Sequence, residues 1–378
     1  MMKKIGLLTF GLLALTLAGC GMISTPSASE NAPKVVKIGL VGPLSGPAAN
    51  YGADMVNIHR YLAEKFNQEN KEVQVELVIE DGKCNGKDAT SAAQKLLHID
   101  QVDLFNGVAC SSEGIPVAQA AQQNKLLLLN GTASSPELAK IGDWIFNYVN
   151  DAYAAKTLAD FVPSKVESVV LVYDNNDYGK GIAEGFKAAY TGNLLKTIAL
   201  STEEQDYALV IKQIQQAAPE GIVFINGNDT TLVNELKALE REGLLEKYKN
   251  KLFAAYVLDS SIGRAEAGNL LEGMYQVNIG AIEDFGADAK AFMEEYQANH
   301  TINANASFSL TWAEAFNLTL DAIQAGNLTS ESIRNYITAI TPEHPRKGLI
   351  GEYYFDKGQA IGVKYVIQQV QNGQLITL

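Results

Sequence analysis

Short β-branched, apolar runs alternate with longer stretches of helical period along most of this 378-residue chain. The runs 35–41, 73–79, 103–108 and 126–129 read as strands. Helices are predicted between and after them, over 52–66, about 88–99, 114–123 and near 152–162. In the first of these, Met55, Ile58, Leu62 and Phe66 share one face. The pattern then restarts, with strands at 168–173, 195–200, 221–225 and 251–255 and helices at 179–190, 207–217 and 230–242. Strands that alternate with helices of 10–15 residues imply parallel sheets covered on both faces. The restart implies α/β architecture twice over, and the length, at about 150 residues per domain, agrees with two domains.

The first twenty residues carry a different signal. Met1-Met2-Lys3-Lys4 is a positive head, residues 5–17 are an apolar run, and Leu17-Ala18-Gly19 leads small residues into Cys20. This is the order of a secretory signal, and the run is short of the ~20 apolar residues that span a bilayer. The Leu-Ala-Gly-Cys ending resembles the lipobox of bacterial lipoproteins. It implies a signal peptide over 1–19 and a lipidated Cys20 that anchors the chain to a membrane on its periplasmic or extracellular side. Residues 20–34, rich in Ser, Ala and Pro, read as a flexible spacer. With Cys20 lipidated, Cys84 and Cys110 remain as an even pair in an oxidising compartment. A disulfide between them is the expectation, two unpaired buried thiols the alternative. His59, His98, His300 and His344 lack ligand spacing, so no metal site is expected. The formal charge is −13, −15 once Lys3 and Lys4 leave with the leader, and there is no basic cluster. Nucleic acid is therefore not an expected partner.

The two halves begin alike. Strand 35–41 leads to Tyr51-Gly52 and a helix, and strand 168–173 leads to Tyr178-Gly179 and a helix. Ligands of open α/β sheets sit beyond the carboxyl ends of the strands, so two facing sheets put Tyr51 and Tyr178 across one cleft. Catalysis has little support. Gly179-x-Gly181-x-x-x-Gly185 mimics a dinucleotide fingerprint, but five residues separate Tyr173 from Gly179, whereas the fingerprint sits in the turn directly after the strand. No P-loop, Gly-x-Ser-x-Gly elbow or His-Glu-x-x-His motif occurs, and no cofactor is implied.

Lys37-Ile38-Gly39-Leu40-Val41-Gly42-Pro43-Leu44-Ser45-Gly46-Pro47, followed by Tyr51-Gly52, resembles the opening of type I periplasmic binding proteins. The branched-chain amino-acid binders of ABC importers are the most similar group. The likeness continues through Asp81…Cys84, Cys110-Ser111-Ser112, Ser134-Ser135-Pro136-Glu137-Leu138, Asp174…Tyr178-Gly179-Lys180-Gly181 and Gly351-Glu352-Tyr353-Tyr354-Phe355-Asp356…Gly358. It implies two Rossmann-like lobes, joined by a three-segment hinge, that close on an amino acid or similar small carboxylate for delivery to an ABC permease. The crossings fall near 148–151, 277–281 and 343–351. Helices 288–299, 309–325 and 330–340 then return to the first lobe. Lobe 1 thus comprises 35–150 with 281–343, and lobe 2 comprises 151–280 with 344–378. The resemblance further implies that the Ser111 hydroxyl and N–H hold a ligand carboxylate. It gives Thr132 a backbone contact, Ser134 a side-chain contact, and makes Tyr51, Tyr178 and Trp312 cleft aromatics. Bare helix caps are the simpler reading of the two serines.

Two segments depart from the branched-chain pattern. Asn226-Gly227-Asn228-Asp229 replaces a Gly-Gly-Tyr segment, and Ala255-Tyr256-Val257-Leu258-Asp259 displaces the acid that pairs a ligand ammonium. Either Asp259 or Asp229 serves an amine or no amine is bound, because a buried ammonium without a carboxylate is costly. Asn228 and Asp229 point to a ligand more polar than leucine. A lipoprotein of the same fold that serves as a sensory partner or activates an envelope enzyme is the alternative function.

Overall fold

The structure is a computed structural model and describes residues 33–201 and 207–378. Cys20, the signal segment and most of the spacer lie outside the described residues. Fifteen strands form in chain order: β1 Lys34–Gly42, β2 Val73–Asp81, β3 Leu104–Asn106, β4 Leu128–Asn130, β5 Ile145–Asn147, β6 Ser168–Asp174, β7 Asn193–Leu200, β8 Gly221–Ile225, β9 Leu252–Ala255, β10 Tyr275–Ile279, β11 Arg346–Gly348, β12 Gly351–Asp356, β13 Gln359–Ile361, β14 Tyr365–Gln371 and β15 Gln374–Thr377. They make two sheets, one ordered β11-β12-β13-β5-β4-β3-β1-β2 and the other β15-β14-β10-β9-β8-β6-β7. Six consecutive strands run parallel in the first sheet, β13-β5-β4-β3-β1-β2, and five in the second, β10-β9-β8-β6-β7, and an antiparallel extension closes one edge of each. All residues of β8 are buried, which is why this segment reads as a continuous apolar run instead of an alternating one; β10 is equally buried but carries the polar Gln276 and Asn278. The expected two-lobed α/β architecture is what forms.

One boundary differs from the expected arrangement. The resemblance places residues 344–378 whole in the second lobe, but β11, β12 and β13 extend the first sheet, through the pairing of Gln359 with Asn147. Only β14 and β15 join the second sheet, so the last passage between lobes falls at 362–364 rather than 343–351. The reason is a pairing across more than two hundred residues, supported by the side chain of Asn150, which donates from Nδ2 to Gln359 Oε1 at 3.0 Å.

Asparagines start five of the helices. Asn85, Asn150, Asn176, Asn228 and Asn305 each accept a backbone N–H from the first turn of the helix they precede. The repeated Tyr-Gly pair also has a steric origin. A side chain at Gly52 would overlap the Pro43 carbonyl oxygen, and one at Gly179 would overlap that of Asp174. Both helices therefore press directly onto the end of their preceding strand, and each tyrosine is held at the cleft.

Candidate functional site

A cavity lies between the lobes, beyond the carboxyl ends of the parallel strands, with about 60 Å³ open to the centres of water-sized molecules. A polar vestibule of about 430 Å³ adjoins it and shares Ala48, Cys84, Ser112, Asn176 and Gly227 with it. One end of the cavity is built on the helix Ser111–Asn124, which begins three residues earlier than the apolar pattern suggests. Ser111 and Ser112 thus occupy its first turn, where N–H groups have no acceptor within the helix. The Ser111 hydroxyl accepts from the N–H of Ser134 at 3.2 Å and of Ser135 at 3.1 Å. With its lone pairs so engaged, its own proton is left to donate. Ser111, Ser134 and the helix start therefore present donors to an anion.

Two ties hold this end in place. Cys84 and Cys110 form a disulfide, with Cα atoms 5.4 Å apart, and both residues line the cavity. Behind it the Glu113 carboxylate accepts from Cys84 N at 2.8 Å and Cys110 N at 3.3 Å. Burial pushes Glu113 up to about 7, against those two hydrogen bonds. Both donors of Thr132 are engaged within the protein. Its hydroxyl donates to Val108 O at 3.1 Å and its N–H to Asn130 Oδ1 at 3.2 Å, although the residue still contributes to the lining.

The remaining walls are aromatic. Tyr51 and Phe308 from the first lobe meet Tyr178 and Tyr256 from the second, with centroids 5.3 Å apart for Tyr256–Phe308 and 6.4 Å for Tyr178–Tyr256. The Tyr178 hydroxyl donates to Ala255 O at 3.2 Å. Tyr256 sits at φ +65°, an uncommon conformation for a bulky residue. Its backbone is held there from both sides, by Val277 O accepting from its N–H and by Asn305 Nδ2 donating to its carbonyl. Its hydroxyl is buried and has no partner. Trp312 is fully buried behind this wall, against Phe308 and under Gly131, so Phe308, one turn earlier, is the residue that reaches the cavity.

The acids resolve differently from the expectation. Asp259 accepts from the N–H of Ala306, at the start of helix Ala306–Gln324, and is absent from the cavity lining; burial pushes it up to about 6. Asp229 also lies off the lining, its oxygens engaged by Tyr51, Asn50 and Ser260. Asn228 caps the helix Asp229–Arg241 and lines the vestibule rather than the cavity. The acid that sequence reasoning missed is Asp151, the first residue of helix Asp151–Phe161, immediately after the first passage between lobes; it too is absent from the cavity lining and sits behind it. It is fully buried, and neither of its carboxyl oxygens makes a hydrogen bond of normal geometry. Its N–H donates to Ser134 O at 2.8 Å, and its charge bears on Tyr178 and Tyr256, all three being lining residues. Burial pushes its carboxyl up to about 8, eased only by the nearby Ser134 hydroxyl. The readable signal was an acid at a helix start directly after a lobe crossing.

A sequence model of one family, described as periplasmic binding protein, matches residues 35–374. The chain belongs to that family. Over 363 residues this periplasmic binding protein is 26% identical to a leucine-, isoleucine-, valine-, threonine- and alanine-binding protein of Pseudomonas aeruginosa, covering 92% of each chain. Among solved structures it superposes with TM-score 0.81 on the branched-chain amino-acid transporter substrate-binding protein of Streptococcus pneumoniae in complex with isoleucine. That pair shares 20% identity over 91% of this chain and 99% of the other. It superposes with TM-score 0.80 on a solute-binding protein of an ABC transporter from Rhodopseudomonas palustris in complex with p-hydroxybenzoic acid, with 18% identity over 91% and 95%. The family is one of binding proteins and acts outside the cytoplasm. Among the described residues, no helix is long and apolar enough to cross a membrane, and no cluster of ligands could hold a metal ion.

Within this periplasmic binding protein the two ends of the cavity differ in chemistry. The Ser111 end offers donors without a full positive charge. The opposite walls offer rings, an unpartnered hydroxyl and, behind Ser134 and Tyr178, a carboxyl that burial keeps protonated near neutral pH.

Proposed function

We propose that this protein is a lipid-anchored solute receptor outside the cytoplasm that captures an amino acid or similar small carboxylate by lobe closure and delivers it to an ABC-type permease. The observation that carries the reading is the Ser111 hydroxyl, which accepts from two loop N–H groups and keeps its proton for a ligand anion in a cavity shared by both lobes. The relatives' ligands support it, since leucine, isoleucine and p-hydroxybenzoic acid all carry a carboxylate. An α-ammonium, where the ligand has one, pairs with Asp151, a buried acid behind the lining residue Ser134 whose oxygens make no hydrogen bond of normal geometry. Cys20 supplies the lipid anchor, and Cys20→Ser releases the protein from the membrane fraction if that part of the reading holds.

The test is thermal unfolding against a panel of amino acids, organic acids and amides. A ligand at 1,000 times its dissociation constant stabilises the native state by about 4 kcal/mol, which raises the midpoint by roughly 8–16 °C for lobes of this size. Ser111→Ala should weaken the ligand found this way by roughly 1.5–3 kcal/mol, the value of a hydrogen bond to a charged group. Unchanged affinity in that variant removes the carboxylate site. A panel with no shift, after any copurified ligand has been unfolded away, removes the amino-acid and small-carboxylate reading.

A further inference from the structure

We propose that Asp229 is the latch of the cleft, a positioning residue that holds the lobes closed without touching the solute. The proposal rests on the reading of this cleft as one that closes. Asp229 opens the helix Asp229–Arg241 of the second lobe, whereas Asn50 and Tyr51 open the helix Ala49–Glu69 of the first. Across the gap, the Tyr51 hydroxyl donates to Asp229 Oδ1 at 3.2 Å and Asn50 Nδ2 donates to Oδ2 at 3.1 Å. Within its own lobe the carboxylate is already set. Ser260 Oγ donates to Oδ2 at 2.5 Å, and Gly263 leaves room for the Asp229 side chain, where an added carbon would come within 2.8 Å of its Cβ.

This is the arrangement of a fixed receiver and a docking partner. The second lobe holds Oδ2 through Ser260, and the first lobe brings two neutral donors, one to each oxygen. Opening returns the carboxylate to water instead of leaving a buried charge unpaired, so the contact is reversible. A bond between neutral donors and a charged acceptor is stronger than one between neutral groups, which suits a contact that helps to tip an equilibrium. Tyr51 couples the latch to the cavity, because its ring is part of the lining while its hydroxyl is engaged by Asp229. Asp229 itself is not part of that lining, so it acts on the solute without touching it.

A latch of this kind changes the closed population, and so it changes the affinity of every solute by one common factor. The experiment is small-angle X-ray scattering of the full chain and of Asp229→Asn, Asp229→Ala and Asn50→Ala, each without solute and with L-leucine, L-glutamate or 4-hydroxybenzoate at saturation. Dissociation constants are measured in parallel by calorimetry. The expected result is a larger radius of gyration in all three variants without solute. Every probe that binds the parent should weaken roughly tenfold to a hundredfold in the Asp229 variants, with an unchanged order of preference. Scattering identical to the parent's in the variants overturns the latch, as does a change in the ranking of the probes, which would make Asp229 a ligand contact. Asn50→Ala, in the opposite lobe, keeps the test standing if the Asp229 variants do not fold. Because scattering reads the latch with no solute present, a parent that binds none of the probes overturns the functional reading while the latch is still decided.

Discussion

Asp151 and Asp229 are both acids at the first turn of a helix that follows a strand or a lobe crossing, and sequence alone does not separate them. What separates them is the company of their oxygens. Asp229 has three donors, while Asp151 has no hydrogen bond of normal geometry in a fully buried setting. A buried carboxyl without partners stays neutral until something supplies positive charge, and burial holds Asp151 at about 8. An α-ammonium arriving between Ser134 and Tyr178 is such a charge. Asp151→Asn is therefore expected to weaken amino acids by roughly a hundredfold or more, since truncating one partner of a buried charge pair costs about 3–5 kcal/mol. The same variant should leave 4-hydroxybenzoate within about threefold of its parent affinity. Calorimetry with both ligands checks this, and an equal loss for the two would show that Asp151 supports the fold of the site rather than pairing an amine. Of the candidate residues read from the sequence, Tyr51, Ser111, Thr132, Ser134 and Tyr178 come together at the cavity, because strand ends and helix starts are local features. Asn228, Asp259 and Trp312 do not line it, because capping a neighbouring helix and packing behind a wall are tertiary outcomes.

At the scale of elements, the loop after β2 and the helix start at Ser111 are joined twice, by the disulfide and by Glu113. Closing a chain segment with a sequence separation of 26 residues stabilises the folded state by about 3.5 kcal/mol in the chain-entropy account. The double variant Cys84→Ser, Cys110→Ser should lose about that much in denaturant unfolding. It should also bind its solute more weakly, because the residue next to Cys110 is Ser111. A variant with lowered stability and unaltered affinity would show that Glu113 alone suffices to hold the anion end. The elements themselves were legible wherever a buried parallel strand gave a continuous apolar run, as for β6 and β8. The three-residue β5 was not, nor was the sheet membership of β11 to β13. Three residues carry no period, and the pairing of Gln359 with Asn147 has no local trace. Tyr256 hid for a related reason, since its left-handed conformation is imposed by Val277 and Asn305 from elsewhere in the chain.

For the whole molecule the buried acids set a pH dependence that a ligand can alter. Burial raises Asp151 to about 8 and Glu113 to about 7, and it raises Glu235, which is fully buried, well above the usual range. Unfolded, such carboxyls titrate near 4. Between pH ~4 and the folded values the native state therefore binds more protons than the unfolded chain, and stability falls as pH rises. The stabilisation is fully present below the unfolded values and is lost as pH climbs through 7 and 8. His59 acts in the opposite sense, because burial lowers it, and stability gained there rises with pH up to about 6.5. Asp81, Asp88, Asp143, Glu295 and Glu343 are held below the usual carboxylate range, so their contribution changes only in acid. The window from pH 6.5 to 8 thus isolates the raised acids, and the unliganded protein should show a melting midpoint that declines across it. On the proposed pairing, a saturating amino acid ionises Asp151 through its ammonium and removes that group from the balance, so the decline should become shallower. A carboxylate without an ammonium, such as 4-hydroxybenzoate, should raise the midpoint without changing the slope. Scanning calorimetry at half-unit intervals of pH, with and without each ligand, distinguishes the two. Parallel slopes for both ligands would mean that Asp151 keeps its proton in the complex and that the solute's amine, if it has one, is held by the aromatic wall instead.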